Sequence, residues 1–297
     1  MTVIGVLAHS KKELGGSGLD ELRRALADKG VGAPAWREVV KPQDVPVAVA
    51  ELVDAGVETL FVWGGDGTVQ QCIDALRSTP PALAILPAGT ANLFAGNLGV
   101  PTDLEAAVSI GLGGRRRTVD LGTVNGERFG VMAGVGFDAE MIRTAEAGLK
   151  ERLGRLGYIV AGALGLQRDA VQTRVTVDGT PWFDGPSTCV LVGNMGAVFG
   201  GISPFPDASP DDGRLDVGVV TADSVGDWAR MLGRTVIGQP EASPFVQTTS
   251  AETIEVSLDA ALPYELDGDA RSETDLLRFR VEPAAIDVCV PAAEEGA

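Results

Sequence analysis

The 297 residues, 45% hydrophobic and 22% charged, can bury a sizeable core in one large or two ordinary domains, which excludes a disordered polymer and a disulfide mini-protein. Three scattered cysteines and a single histidine exclude a Cys/His zinc cluster and read as reduced cytosolic thiols. The net charge of −17 concentrates from residue 201 onward, where six basic residues face nineteen acidic ones, a field that argues against nucleic-acid binding and broad docking on anionic membranes.

Residues 3–8 read as a buried strand, too short and too soon followed by Lys11, Lys12 and Glu13 to be a signal peptide. Leu19, Leu22, Ala25 and Leu26 recur at helical spacing over 19–29, and Gly30 closes that helix. The pattern then predicts a helix over 45–55, a β-rich strand over 57–63, a helix over 69–76 and a strand over 83–86. A short helix over 92–98 and a helix capped by Thr102 and running to Ile110 complete this part. Strand–helix alternation implies a parallel sheet covered on both faces.

Beyond about residue 118 the rhythm changes. Apolar runs over 119–124 and 128–133 flank Asn125-Gly126, a strong hairpin turn signal. Further strand patterns lie at 174–177 before Asp178-Gly179, at 188–192, at 215–220 and at 253–258. Helical patterns interrupt at 139–152, 159–168 and 225–237. The longest apolar stretch of interest, 158–166, is far below the roughly 20 residues that span a bilayer, so a soluble cytoplasmic protein is expected. The expected domains are 1–117, rejoined by a strand at about 284–297, and 118–283.

The chemistry concentrates in two strand-to-helix loops. The first runs Gly64, Gly65, Asp66, Gly67, Thr68 after a buried strand. Glycines permit a tight turn, the free N–H groups of a helix start suit phosphate, and Asp66 places one carboxylate where it can hold Mg²⁺. Alone, this is equally well an ordinary strand–turn–helix with an Asp cap. The second loop, Pro87-Ala88-Gly89-Thr90-Ala91-Asn92, again follows a strand and precedes a helix. Gly89 allows close approach, while Thr90 and Asn92 offer a hydroxyl and an amide, so the pair makes a two-sided phosphate cradle.

With Val119-Asp120-Leu121-Gly122, Val192-Gly193-Asn194, Asp211-Asp212-Gly213-Arg214-Leu215-Asp216 and Glu265-Leu266-Asp267-Gly268-Asp269, the chain resembles the diacylglycerol kinase catalytic family, which also includes sphingosine and ceramide kinases. The resemblance covers nearly the whole chain. It implies an N-terminal doubly wound α/β nucleotide-binding domain and a C-terminal antiparallel β-sandwich-like domain, with the active site in the interdomain cleft and a strand around 286–290 returning to the first domain. It implies an ATP- and Mg²⁺-dependent transfer of phosphate to the free hydroxyl of a diacylglycerol-like lipid in phospholipid metabolism, met by transient membrane-surface contact; a homodimer stays open. By the same resemblance, residues 64–68, Gly89, Thr90 and Asn92 hold the ATP phosphates and Asp66 sits by the catalytic Mg²⁺. Asp212, with the carbonyls of Ser209 and Arg214, matches a structural Mg²⁺ site, and Asp269 stands where the family has a Glu acting as base.

The chain departs from the family at three places. Asp269 is one methylene shorter than the usual Glu, Leu93 replaces a frequent Asp, and Ala8-His9-Ser10 replaces Asn-Pro. These departures keep a nucleotide-binding relative that has lost activity in view. A soluble-acceptor kinase of the NAD kinase type, which shares the Gly-Gly-Asp-Gly-Thr loop, is the other alternative. The G-x-G-x-x-A pattern at 134–139 lacks the acidic partner of a dinucleotide fold, and no G-x-x-x-x-G-K-[ST] loop occurs. Arg115, Arg116 and Arg117 read first as a solvated face, and Asp120 reads equally as a turn cap or a functional acid. Trp182, Met195, Phe199 and Phe205 read as core before groove.

Overall fold

The computed structural model describes residues 2–14, 16–77, 79–136, 170–198, 203–236 and 243–292. The helices expected over 139–152 and 159–168, the end of that over 225–237, Ala139 and Phe199 lie outside the described residues. The chain divides into two compact units, Met1–Asp120 with Pro283–Ala297, and Leu121–Glu282.

The first unit alternates β1 (Ile4–His9), α1 (Leu19–Asp28), β2 (Ala35–Val39), α2 (Val45–Asp54), β3 (Thr59–Gly64), α3 (Asp66–Ala75), β4 (Ala82–Pro87), α4 (Leu93–Asn97) and α5 (Leu104–Gly113). Every residue of β3 and β4 is buried, as central parallel strands covered on both faces require. The parallel order is β4–β3–β1–β2, and Val288 of β14 (Asp269–Val290) pairs with Leu83 on the far side of β4. α1 buries Leu22, Ala25 and Leu26, and the Glu21 carboxylate accepts from Gly18 N at 2.9 Å to cap its start. α5 lies against the sheet so closely that a Cβ on Gly111 would meet the Phe61 ring at 2.3 Å.

One local expectation changes, and one strand is unexpected. α5 is capped by Asp103, whose Oδ1 accepts from Ala106 N at 2.9 Å, and not by Thr102: the residue at the extended position before the helix is the one after Thr102. β2 carries no apolar run, because Arg37 and Glu38 are exposed on a strand that pairs only with β1.

The second unit is antiparallel. It holds β6 (Glu127–Phe129), β7 (Met132–Val135), β8 (Val171–Val177), β9 (Thr180–Ser187), β10 (Cys189–Gly193), β11 (Leu215–Val220), α6 (Val225–Val236), β12 (Val246–Ala251) and β13 (Thr253–Leu266); β5 (Arg115–Val124) and β14 carry the chain from unit to unit. Its ladder runs β12–β11–β10–β7–β13, with β13 also pairing β14 and β8. Three hairpins turn through Asn125-Gly126, Asp178-Gly179 and Asp267-Gly268, each with positive φ at both residues, the signature of the tight turn that matches strand twist. The core gathers Phe129, Val192, Val217, Val256, Leu266, Leu277 and Phe279, with Phe129 and Phe279 edge-to-face at 6.3 Å. Met195 and Phe205 are buried and Trp182 packs half-buried on this core, as expected of core residues.

Candidate active site

Parallel strands present their C-terminal ends together. The register pairs Ala8 with Trp63 and Gly64 with Pro87, so the loops after β1, β3 and β4 leave the sheet side by side. The Trp63 indole donates to the Lys12 carbonyl at 3.0 Å and ties the first loop to β3. His9 ends β1 in the same row; burial and then the Lys12 charge push its pKa below the ordinary histidine value.

The two glycine loops are clasped backbone to backbone. A Cβ on Gly89 would stand 2.5 Å from the Gly65 Cα, and one on Gly65 would stand 3.0 Å from the Gly89 Cα. A Cβ on Gly64 would meet the buried Thr68 side chain at 2.5 Å. Only glycine fits these positions, so the sequence places glycines where two loops must touch.

Asn92 locks the second loop from within. Its Oδ1 accepts from Gly89 N at 2.8 Å, and its Nδ2 donates to the carbonyls of Gly89 at 2.9 Å and Pro87 at 3.3 Å. It holds φ 50, a left-handed conformation Asn tolerates. Thr90 is exposed at the loop crest and Asn92 is buried beneath it.

Asp66 opens α3 but does not cap it. Its Oδ1 accepts from Leu93 N at 2.6 Å, so the carboxylate of one loop sits on the first turn of the helix that follows the other. Burial raises its pKa above the usual carboxylate value, opposed by the amides of Leu93, Phe94 and Asn92. It is the single carboxylate of the two loops, since position 93 is Leu. Magnesium takes one or two protein carboxylates plus phosphate oxygens, so the donor set here fits a nucleotide-bound Mg²⁺ and not a protein-only cage.

In the second unit, Asp269 is exposed and opens β14, paired with Leu266 across the turn. Arg271 donates to the Asp269 carbonyl at 3.3 Å and to Glu127 at 2.8 Å, and Tyr264 reaches Glu127 at 3.4 Å. Ser209, Asp212 and Arg214 share one loop, where Asp212 Oδ1 accepts from Arg214 N at 2.9 Å. Asp216, which the sequence does not distinguish from a surface acid, is pushed up to about 6 by burial and by the charges of Asp212 and Asp207. Asp120 is buried and accepts from Ala284 N at 2.7 Å, a backbone-holding role.

A doubly wound α/β unit with paired glycine loops at its strand ends, joined to an antiparallel β unit, is an architecture that binds ligands at the ends of its parallel strands. The diacylglycerol kinase catalytic domain model matches residues 5–124, and the YegS C-terminal NAD kinase beta sandwich-like domain model matches 131–290. A Pseudomonas aeruginosa protein named "Probable lipid kinase YegS-like" is 35% identical over 294 residues, 97% of this chain and 94% of its own. An Enterobacter protein of the same name is 30% identical over 293 residues, 96% and 95% of the two chains. A diacylglycerol kinase crystal structure from Bacillus anthracis shares the fold with a TM-score of 0.78 at 23% identity, covering 97% and 96%. An NAD kinase from Archaeoglobus fulgidus shares it at 0.54 and 12% identity, covering 97% and 93%. The chain belongs to the diacylglycerol kinase catalytic-domain family, among its YegS-like lipid kinases.

Proposed function

We propose that this protein transfers the γ-phosphate of ATP, with Mg²⁺, to the free hydroxyl of a diacylglycerol-like lipid that it meets at a membrane surface from the cytoplasm. The observation that carries the reading is the clasp of Gly65 on Gly89, with Asp66 bridging from the first loop to Leu93. Backbone N–H groups at two adjoining strand ends, those not already bonded within the loops, suit a chain of phosphates. Gly64, Gly65, Gly67, Thr68, Gly89 and Thr90 line the phosphate path. Asn92 shapes the loop, because its amide is committed to Gly89 and Pro87.

A magnesium ion held by Asp66 and the phosphates would neutralise the charge on the β- and γ-oxygens. The lipid hydroxyl oxygen bonds to the γ-phosphorus as the bond to the β-bridging oxygen breaks, and the Asp269 carboxylate takes the hydroxyl proton. Asp212, with the carbonyls of Ser209 and Arg214, would hold a second Mg²⁺ in a structural role.

The test is a transfer assay with labelled ATP and Mg²⁺. It offers lipid extracts in mixed micelles, sphingoid bases and NAD, for wild type, Asp66→Ala and Asp269→Asn. Label in a glycerolipid that vanishes in both variants is the expected result. Label in NAD alone would replace the acceptor class. ATP binding with no label anywhere would leave a nucleotide-binding relative without transfer.

A further inference from the structure

Three consecutive backbone donors of the second unit, those of residues 130–132, converge on one side chain, Asp267. Its Oδ2 accepts from Gly130 N at 2.7 Å, and its Oδ1 from Val131 N at 2.9 Å and Met132 N at 3.0 Å. Its own N–H donates to the Met132 carbonyl at 2.9 Å. The same short stretch is held from another strand end, where Asn194 donates from N to the Val131 carbonyl at 2.9 Å and from Nδ2 to the Gly130 carbonyl at 3.0 Å. Asp267 at φ 48 and Gly268 at φ 88 are the central residues of the hairpin turn, and the next residue is Asp269.

Turn chemistry alone does not call for this carboxylate. Asn-Gly makes the same turn at least as readily, as Asn125-Gly126 does in this chain. What an aspartate adds is a charged acceptor for three backbone donors, stronger than neutral hydrogen bonds and absent from a free hairpin tip. Asp269 itself is exposed and one methylene shorter than a glutamate, so its carboxylate has little reach of its own. A base must come within about 2.6–3.2 Å of its proton, and here the backbone has to supply that placement.

We infer that Asp267 is a positioning residue: it pins the hairpin turn to residues 130–132 and thereby fixes the Asp269 carboxylate for proton abstraction. This rests on the reading of Asp269 as the base.

Asp267→Asn tests it in the full-length protein, with diacylglycerol in mixed micelles as the acceptor and labelled ATP with Mg²⁺. Asparagine keeps the turn preference but replaces one acceptor oxygen with a donor facing backbone N–H groups. The expected result is a kcat lower by about 10- to 100-fold, the loss that misplacement by about 1 Å brings. ATP affinity and KM for ATP stay within about twofold, and amide exchange at 130–132 quickens. In an Asp269→Asn background, Asp267→Asn costs nothing further, because the two act as one unit. Gly268→Ala disturbs the turn from the other side, at a φ that disfavours a side chain though its surroundings are open; it should give the same pattern and decides the matter if Asp267→Asn does not fold. Equal loss in both backgrounds, or wild-type kcat per folded molecule in the folded variant, overturns the inference. Wild-type turnover in Asp269→Asn overturns the base reading and this inference together, whereas an inactive Asp269→Asn beside a fully active Asp267→Asn overturns this inference alone.

Discussion

Gly89→Ala puts the clasp of the two glycine loops to a direct test. The added methyl would lie 2.5 Å from the Gly65 Cα and 2.7 Å from the Asn92 Oδ1. Ordinary carbon contacts need about 3.5–4.0 Å, so the loops must part by roughly 1 Å. Both obstacles are stiff: one is backbone, and the other is an amide already bonded to Gly89 N at 2.8 Å. Overpacking of this kind costs about 1–3 kcal/mol, and at about 2–4 °C per kcal/mol the melting temperature should fall by roughly 2–12 °C. Parting the loops also draws Leu93 N from Asp66, so turnover should drop on the order of 100-fold and ATP affinity should weaken. Gly96→Ala in α4 is the matched control, since nothing lies within 4 Å of its added methyl. It should raise stability by about 0.5–1 kcal/mol. Differential scanning fluorimetry, titration calorimetry with ATP and the transfer assay read all three quantities. A folded Gly89→Ala protein with ATP affinity and turnover within about twofold of wild type would refute the argument.

Asp66→Asn removes a charge that burial disfavours yet leaves an oxygen for Leu93 N, so the melting temperature should hold or rise while turnover falls at least about 100-fold. Asp216, raised from 3.8 to about 6, contributes stability in its protonated form that is intact below about pH 4 and lost as pH climbs through about 6. Asp216→Asn in EDTA should therefore raise the melting temperature at pH 7.5 and flatten the decline between pH 4 and 6. The gain is bounded by about 3 kcal/mol at 1.36 kcal/mol per unit and is nearer 1 after solvent screening. Asp103→Ala removes the α5 cap and should cost about 1 kcal/mol in thermal melts, with ATP affinity unchanged.

The α/β-then-antiparallel architecture was legible because its signals are local: buried runs in β3 and β4, helical spacing in α1, and Asn-Gly and Asp-Gly turns. The two glycine loops were legible for the same reason, each being a strand, a turn and a helix start in sequence. What the pattern could not give depends on partners distant in the chain. Asp66 looks like a cap of its own helix, yet its partner Leu93 lies in the next strand-to-helix loop. Asn92 looks like an exposed amide at a helix start, but it is turned inward onto Gly89. Asp267 reads as a turn residue until its three bonds to residues 130–132 are seen. β2 escapes because an edge strand half in water needs no apolar alternation.

The pairing of Val288 with Leu83 sets an order of events at the ribosome. β4 leaves the tunnel early, yet its neighbour arrives only after the entire second unit has been synthesised. Until then β4, apolar throughout its length, presents an open hydrogen-bonding edge, the kind of surface that chaperones cover and that templates association of unfinished chains. The antiparallel unit, complete in sequence from Leu121 to Glu282, can reach its native state first. Translation stalled short of Val288 would thus release a protein with a finished antiparallel unit and an α/β unit still missing one strand.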